Sequence, residues 1–163
     1  MPGEFYFMAI AGLGVSLAGF AGLISALDTS PGSAVKAWRI RNIVIGGFFL
    51  TFMGFGTVAT YSLTEDVDAT VRIVSFVSAV LLLVRTRTEI RPGPAWPDRR
   101  GLVVALVMGL VAVALFFVNV AVASVGLLQL LLLFELTDPT SIFFFAVREI
   151  SARGHEVPHD RGH

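Results

Sequence analysis

The chain has no cysteine, a single lysine, and only 15% charged residues among its 163. The missing cysteine excludes disulfides, thiolate metal sites, iron–sulfur clusters and cysteine nucleophiles together. The scarcity of charge excludes something broader. A soluble domain has about a quarter of its residues charged, and here polar residues are too few to cover a surface that faces water. No nucleophile–base pair, phosphate-binding loop or paired-histidine metal motif occurs. No histidine falls within an apolar run, so an intramembrane haem or chlorophyll has no axial ligand. No cofactor or metal is expected, and an enzyme is the least favoured class. Formal net charge is zero, which gives no electrostatic reason to expect nucleic acid as a partner.

What is present is hydrophobic. Apolar residues make up 55% of the chain, mean hydropathy is +0.81, and runs long enough to cross the ~30 Å hydrocarbon core recur. These runs predict spans over about 5–27, 43–63, 70–84, 101–121 and 126–147. No basic residue precedes the first run after Met-Pro-Gly-Glu, which predicts a retained span and not a cleaved leader. The third run is the shortest and carries Arg72 near its start, where a long stem can reach the headgroups. Residues 101–136 form one nearly unbroken apolar stretch, ~54 Å long as a single helix. That is too long for tilt to absorb, so a turn is expected within 119–126. The expected fold is an all-α polytopic membrane helical bundle of about five transmembrane helices. It forms one domain over 1–150, with a mobile tail over 151–163. Four spans followed by an interfacial helix is the alternative.

Charge placement favours five. With five spans, Lys36, Arg39, Arg41, Arg85, Arg87, Arg91, Arg99, Arg100, Arg148, Arg153 and Arg161 gather on one face. They are eleven of the twelve basic residues; only Arg72 lies toward the other side, with Glu65, Asp66 and Asp68. Lys and Arg in short loops mark the cytoplasmic side. The expectation is therefore a plasma-membrane protein with its N-terminus outside and C-terminus inside. An arginine-rich, lysine-poor composition full of Ala, Val and Gly points to a high-GC bacterial source.

Four features are candidates for a role. Gly12, Ser16, Gly19 and Ala26 share one face of the first span, with Gly22 beside them, and Gly47, Thr51 and Gly54 echo the pattern in the second. Small residues at such spacing let helix backbones approach closely in lipid, within one subunit or between copies of the chain. The basic stretches KAWRIRN and RTRTEIRPGPAWPDRR, with Trp38 and Trp96, set topology or bind anionic headgroups. His155, His159 and His163 recur at intervals of four, but Pro158 breaks any helical register, and solvated tail is the plainer reading.

The fourth is LLLLFELTDPTSIFFF, residues 130–145. Glu135 and Asp138 stand one turn apart on one side of a helix. A carboxylate at that depth must face protein, hold a proton, or line water. Pro139 removes the N–H that would bond the Glu135 carbonyl, and Thr137, Thr140 and Ser141 add hydroxyls. One reading is an ion or proton relay, with Asn119 and Gln129 as the other polar residues available to face the acids. The other is structural: a polar contact between helices, or a break in which Glu135 ends one helix and Asp138-Pro139 caps the next.

LAGFAGLISAL (17–27) followed by WRIRNIV (38–44) resembles the opening of a group of small bacterial multi-span membrane proteins, in which a Gly-Phe-Ala-Gly-Leu segment precedes an Arg-x-Arg stretch. The resemblance implies a helical membrane fold and supplies no site residues. The functional expectation is a structural or binding role, as an accessory subunit of a larger membrane complex or as a homo-oligomer. A channel or cation-coupled transporter using Glu135 and Asp138 is the alternative.

Overall fold

The computed structural model describes residues 1–27, 34–89 and 99–154. They form five helices: α1 (Glu4–Leu27), α2 (Ala34–Thr64), α3 (Val67–Glu89), α4 (Arg99–Val122) and α5 (Val125–Gly154). All five are long and apolar enough to cross a membrane. Phenylalanines and aliphatic residues lie on outer as well as inner faces: Phe20, Phe48, Phe76, Phe117 and Phe144 are exposed, while Phe7, Leu50, Phe116 and Leu132 are buried. Helices that are apolar all round belong in lipid. This is an all-α polytopic membrane bundle with five spans.

The chain turns where the sequence requires it. Between α2 and α3, Glu65 adopts a left-handed φ of 53°, and Asp66 Oδ1 accepts from the Asp68 and Ala69 N–H groups at 2.8 and 3.2 Å. This is an Asp N-cap satisfying donors that a helix start leaves unpaired. Between α4 and α5, the turn expected within 119–126 falls at Ala123, with φ 56°, and Ser124. Ser124 Oγ accepts from the Leu127 N–H at 3.2 Å.

Two boundaries differ from the expectation. The α2 helix begins at Ala34, nine residues before the predicted span, so the basic KAWRIRN segment is itself helical. The α5 helix runs without interruption through Pro139 to Gly154. The break between Glu135 and Asp138, and with it the four-span alternative, does not hold. A proline costs a helix one hydrogen bond and a clash, but in a membrane span neighbouring groups can re-satisfy the backbone. The helix enters the first residues of the expected tail; His155, His159 and His163 lie outside the described residues, as do Arg91 and Trp96.

Packing is closest between α1 and α2 and next between α3 and α4, and α5 lies mainly on α2. Glycines make the α1–α2 approach possible. A Cβ on Gly47 would stand 2.6 Å from the Gly14 carbonyl oxygen, and one on Gly54 would stand 2.8 Å from the Ala11 Cβ. Thr51 Oγ1 donates to the Gly47 carbonyl at 2.8 Å, so its hydroxyl is satisfied at the crossing. On α5, the buried Pro139 ring sits on Gly46 of α2, where a Cβ would lie 3.0 Å from the Pro139 Cβ. With α5 held against α2 and making little contact with α3 or α4, a cavity remains among the four helices.

Candidate functional site: an ion cluster in an intramembrane cavity

The cavity encloses about 610 Å³. Its walls are mostly apolar, built from Leu82 of α3, Val104 and Met108 of α4, and Phe134 and Ile142 of α5, with Trp38 of α2 at one side. Its polar groups converge from three helices: Asn42, Arg85, Thr86, Glu135 and Asp138.

Arg85 organises them. Its Nη2 donates to Asp138 Oδ2 at 2.6 Å, and its Nη1 lies 4.0 Å from Glu135 Oε2. The guanidinium is 15% exposed, Glu135 8% and Asp138 53%. The planar fork of arginine can face two carboxylates at once, and the one-turn spacing of Glu135 and Asp138 presents both to it. This arrangement eases the main objection to acids in an apolar run: both face a guanidinium, Glu135 is buried, and Asp138 stays half exposed at the cavity. It also gives Arg85 a different place from the other basic residues grouped with it from sequence. Arg41 and Arg87 are exposed and Arg39 is half-buried, near the same end of the bundle. The side chains of Arg99 and Arg100, at the start of α4, and all of Arg91 lie outside the description. In the sequence, Arg85, Arg100 and Arg148 each abut an apolar run on that face, so nearness to a run does not single out Arg85 as the partner of the acids.

The cluster sits toward the basic end of the bundle. The α3 span ends two residues past Arg85, at Arg87, whereas the α5 span continues ten residues past Asp138 to Arg148. The hydroxyls around Pro139 are turned back on their own helix. Thr137 bonds the Phe134 carbonyl, Thr140 the Leu136 carbonyl and Ser141 the Thr137 carbonyl, each at 2.7 Å.

Asn119 and Gln129 do not join the acids. Asn119 is a buried corner piece: its Nδ2 donates to Ser75 Oγ at 2.9 Å, and its Oδ1 accepts from the Ser124 N–H at 3.0 Å. It thereby ties α3 to the α4–α5 turn. Gln129 lies against Gly3 at the start of α1, and its carbonyl accepts from Tyr6 Oη at 2.6 Å. Between the cluster and that far end, buried positions include Leu82, Leu131, Leu132, Phe116, Leu50 and Met53, together with Ser78, whose Oγ bonds Met53 Sδ at 2.8 Å, and Ser75, held by Asn119.

The small-residue positions also divide. Gly47 and Gly54 pack against α1, and Gly14, which the sequence reading passed over, is their counterpart. Around Gly12, Gly19 and Gly22 a Cβ would meet nothing within 4 Å. Ser16 Oγ bonds the Gly12 carbonyl of its own helix at 2.9 Å on the same exposed face. No three His, Asp or Glu side chains among the described residues gather as a metal site. Comparison with protein-family models, with curated proteins and with solved structures yields no match.

Proposed function

We propose that this is a non-enzymatic binding protein of the bacterial plasma membrane, whose cavity among α2, α3, α4 and α5 takes up an amphipathic small molecule. The observation that carries the reading is the cavity itself. Its volume, about 610 Å³, falls in the ~300–1,000 Å³ range of small-ligand sites, and such sites are apolar with a few convergent polar groups. Apolar walls with one charged pole match a molecule that has a tail and a head. The cation-relay alternative has less support, because Asn119 and Gln129 bond elsewhere, and the buried hydroxyls of Ser75 and Ser78 pair with Asn119 and Met53 and not with the acids.

The test is extraction of the full chain into native-lipid nanodiscs, followed by mass spectrometry of what co-purifies. Ala105 lines the cavity without belonging to the ion cluster. The parent should retain a small amphiphile in stoichiometric amount, and Ala105→Phe, which fills the space, should retain little. Equal retention by both removes the reading.

A structural role in a larger assembly remains compatible with this binding. The exposed face of Gly12, Ser16 and Gly19 favours self-association or docking on another membrane subunit, since small residues in lipid allow close helix approach.

A further inference from the structure

The charged pole of the cavity selects the sign of the head group. We infer that the ligand is a single-tailed amphiphile with an ammonium head, bound with the head at Asp138 and the tail along α4 and α5. This rests on the cavity being a ligand site and adds which ligand it takes.

The argument begins with the charged groups that line the space. Among the described residues they are two carboxylates and one guanidinium, and the guanidinium is already engaged by both acids. An anionic head drawn to Arg85 would lie beside both carboxylates, which like-charge repulsion opposes. A neutral head gains only ordinary hydrogen bonds, from groups such as Asn42 and Thr86. An ammonium head is different. Asp138 is half exposed, and only its Oδ2 is taken by Arg85; Oδ1 has no hydrogen bond among the described residues. An ammonium donating to Oδ1 makes a charge-assisted bond without disturbing the Arg85 pair. Trp38 lines the same cavity, and an indole face attracts a cation within about 6 Å.

The apolar half accounts for the tail. Val104 and Met108 on α4 and Phe134 and Ile142 on α5 line one continuous space with Asp138. Ala105 and Gly109 keep the α4 wall low; a Cβ on Gly109 would already stand 3.0 Å from Thr86 Oγ1. Burial of a tail there adds about 0.8 kcal/mol per methylene only relative to water. Relative to lipid it adds little. Affinity beyond plain partitioning into the bilayer must therefore come from the head, which makes the head group the discriminating variable.

The experiment uses the full chain in phosphatidylcholine nanodiscs, with Trp96→Phe so that Trp38 is the only reporter. Dodecylammonium, dodecanol and dodecyl sulfate are titrated, with empty nanodiscs subtracted. Dodecylammonium should saturate the Trp38 signal at least tenfold below dodecanol, with dodecyl sulfate weaker still. Asp138→Asn should erase the tenfold preference, Asp138→Glu should keep it, and Ala105→Phe should abolish saturation for all three. Equal affinity for dodecanol and dodecylammonium, preference for dodecyl sulfate, or a preference that survives Asp138→Asn overturns the ammonium assignment. Saturable binding lost in Ala105→Phe but blind to charge leaves the cavity as an amphiphile site and removes only the head-group claim. No saturable binding of any of the three removes both.

Discussion

At the residue scale, Arg85 carries two duties that pull in different directions. As a basic residue near a span end it helps set orientation, and as the partner of Glu135 and Asp138 it neutralises acids inside the bundle. Deleting one partner of a buried pair is much worse than replacing all of it with apolar groups, because the remaining charge stays buried. Arg85→Met should lower stability by about 3 kcal/mol, and the joint change of Arg85, Glu135 and Asp138 to Met, Met and Ser should cost less than Arg85→Met alone. Asp138→Asn, at a half-exposed position, should cost no more than ~1 kcal/mol. Thermal unfolding of each variant in one mild detergent checks the order. A single change that costs less than the joint one contradicts it. The acids of this cluster were legible from sequence, since carboxylates in a run of leucine and phenylalanine stand out by energy alone. Their partner was not. Arg85 is separated from Asp138 by 53 positions, and an arginine at a span end already has a sufficient explanation in topology. The packing of both α3 and α5 against α2 brings the two together.

At the element scale, the α1–α2 crossing shows why a small-residue pattern identifies the right helices more readily than the right face. The spacing of Gly12, Ser16 and Gly19 drew attention to one side of α1, yet Gly14 lies on the other and meets Gly47. Both sides are rich in small residues, and which one turns inward depends on where α2 carries its own glycines. Side chains at the inner positions have nowhere to go, and overpacking a tight contact costs about 1–3 kcal/mol. Gly47→Val should therefore destabilise the monomer by that amount, while Gly19→Val leaves it unchanged and weakens only association between chains. Unfolding in detergent reads the first effect, and cross-linking in native membranes reads the second. Loss of cross-linking with Gly47→Val but not with Gly19→Val would place the contact between copies elsewhere. Span number and the α4–α5 turn followed from length and hydropathy. The start of α2 did not, because hydropathy registers what lies in hydrocarbon and Lys36, Arg39 and Arg41 extend the helix beyond it.

At the scale of the whole molecule, the two ends of the bundle differ in kind. One carries the α2–α3 turn with Glu65 and Asp66, together with the α4–α5 turn, where Arg72 Nη1 bonds the Val120 carbonyl at 2.7 Å. The other carries Arg39, Arg41 and Arg87, at the end where Trp38, Asn42, Arg85 and Thr86 line the cavity. Cytoplasmic loops collect Lys and Arg, so the cavity end should face the cytoplasm and a ligand should enter from the inner leaflet. The absence of cysteine makes this directly measurable, because any introduced thiol is the only one in the chain. Ser62→Cys, at the acidic end, should react with a membrane-impermeant maleimide in intact cells, and Arg87→Cys should react only after the cells are opened. The reverse pattern would put the basic end outside and the cavity end in the outer leaflet. Labelling of both sites in intact cells would mean that the chain inserts in two orientations, for which a bundle with Arg39, Arg41 and Arg87 at one end and Glu65 and Asp66 at the other leaves no physical reason.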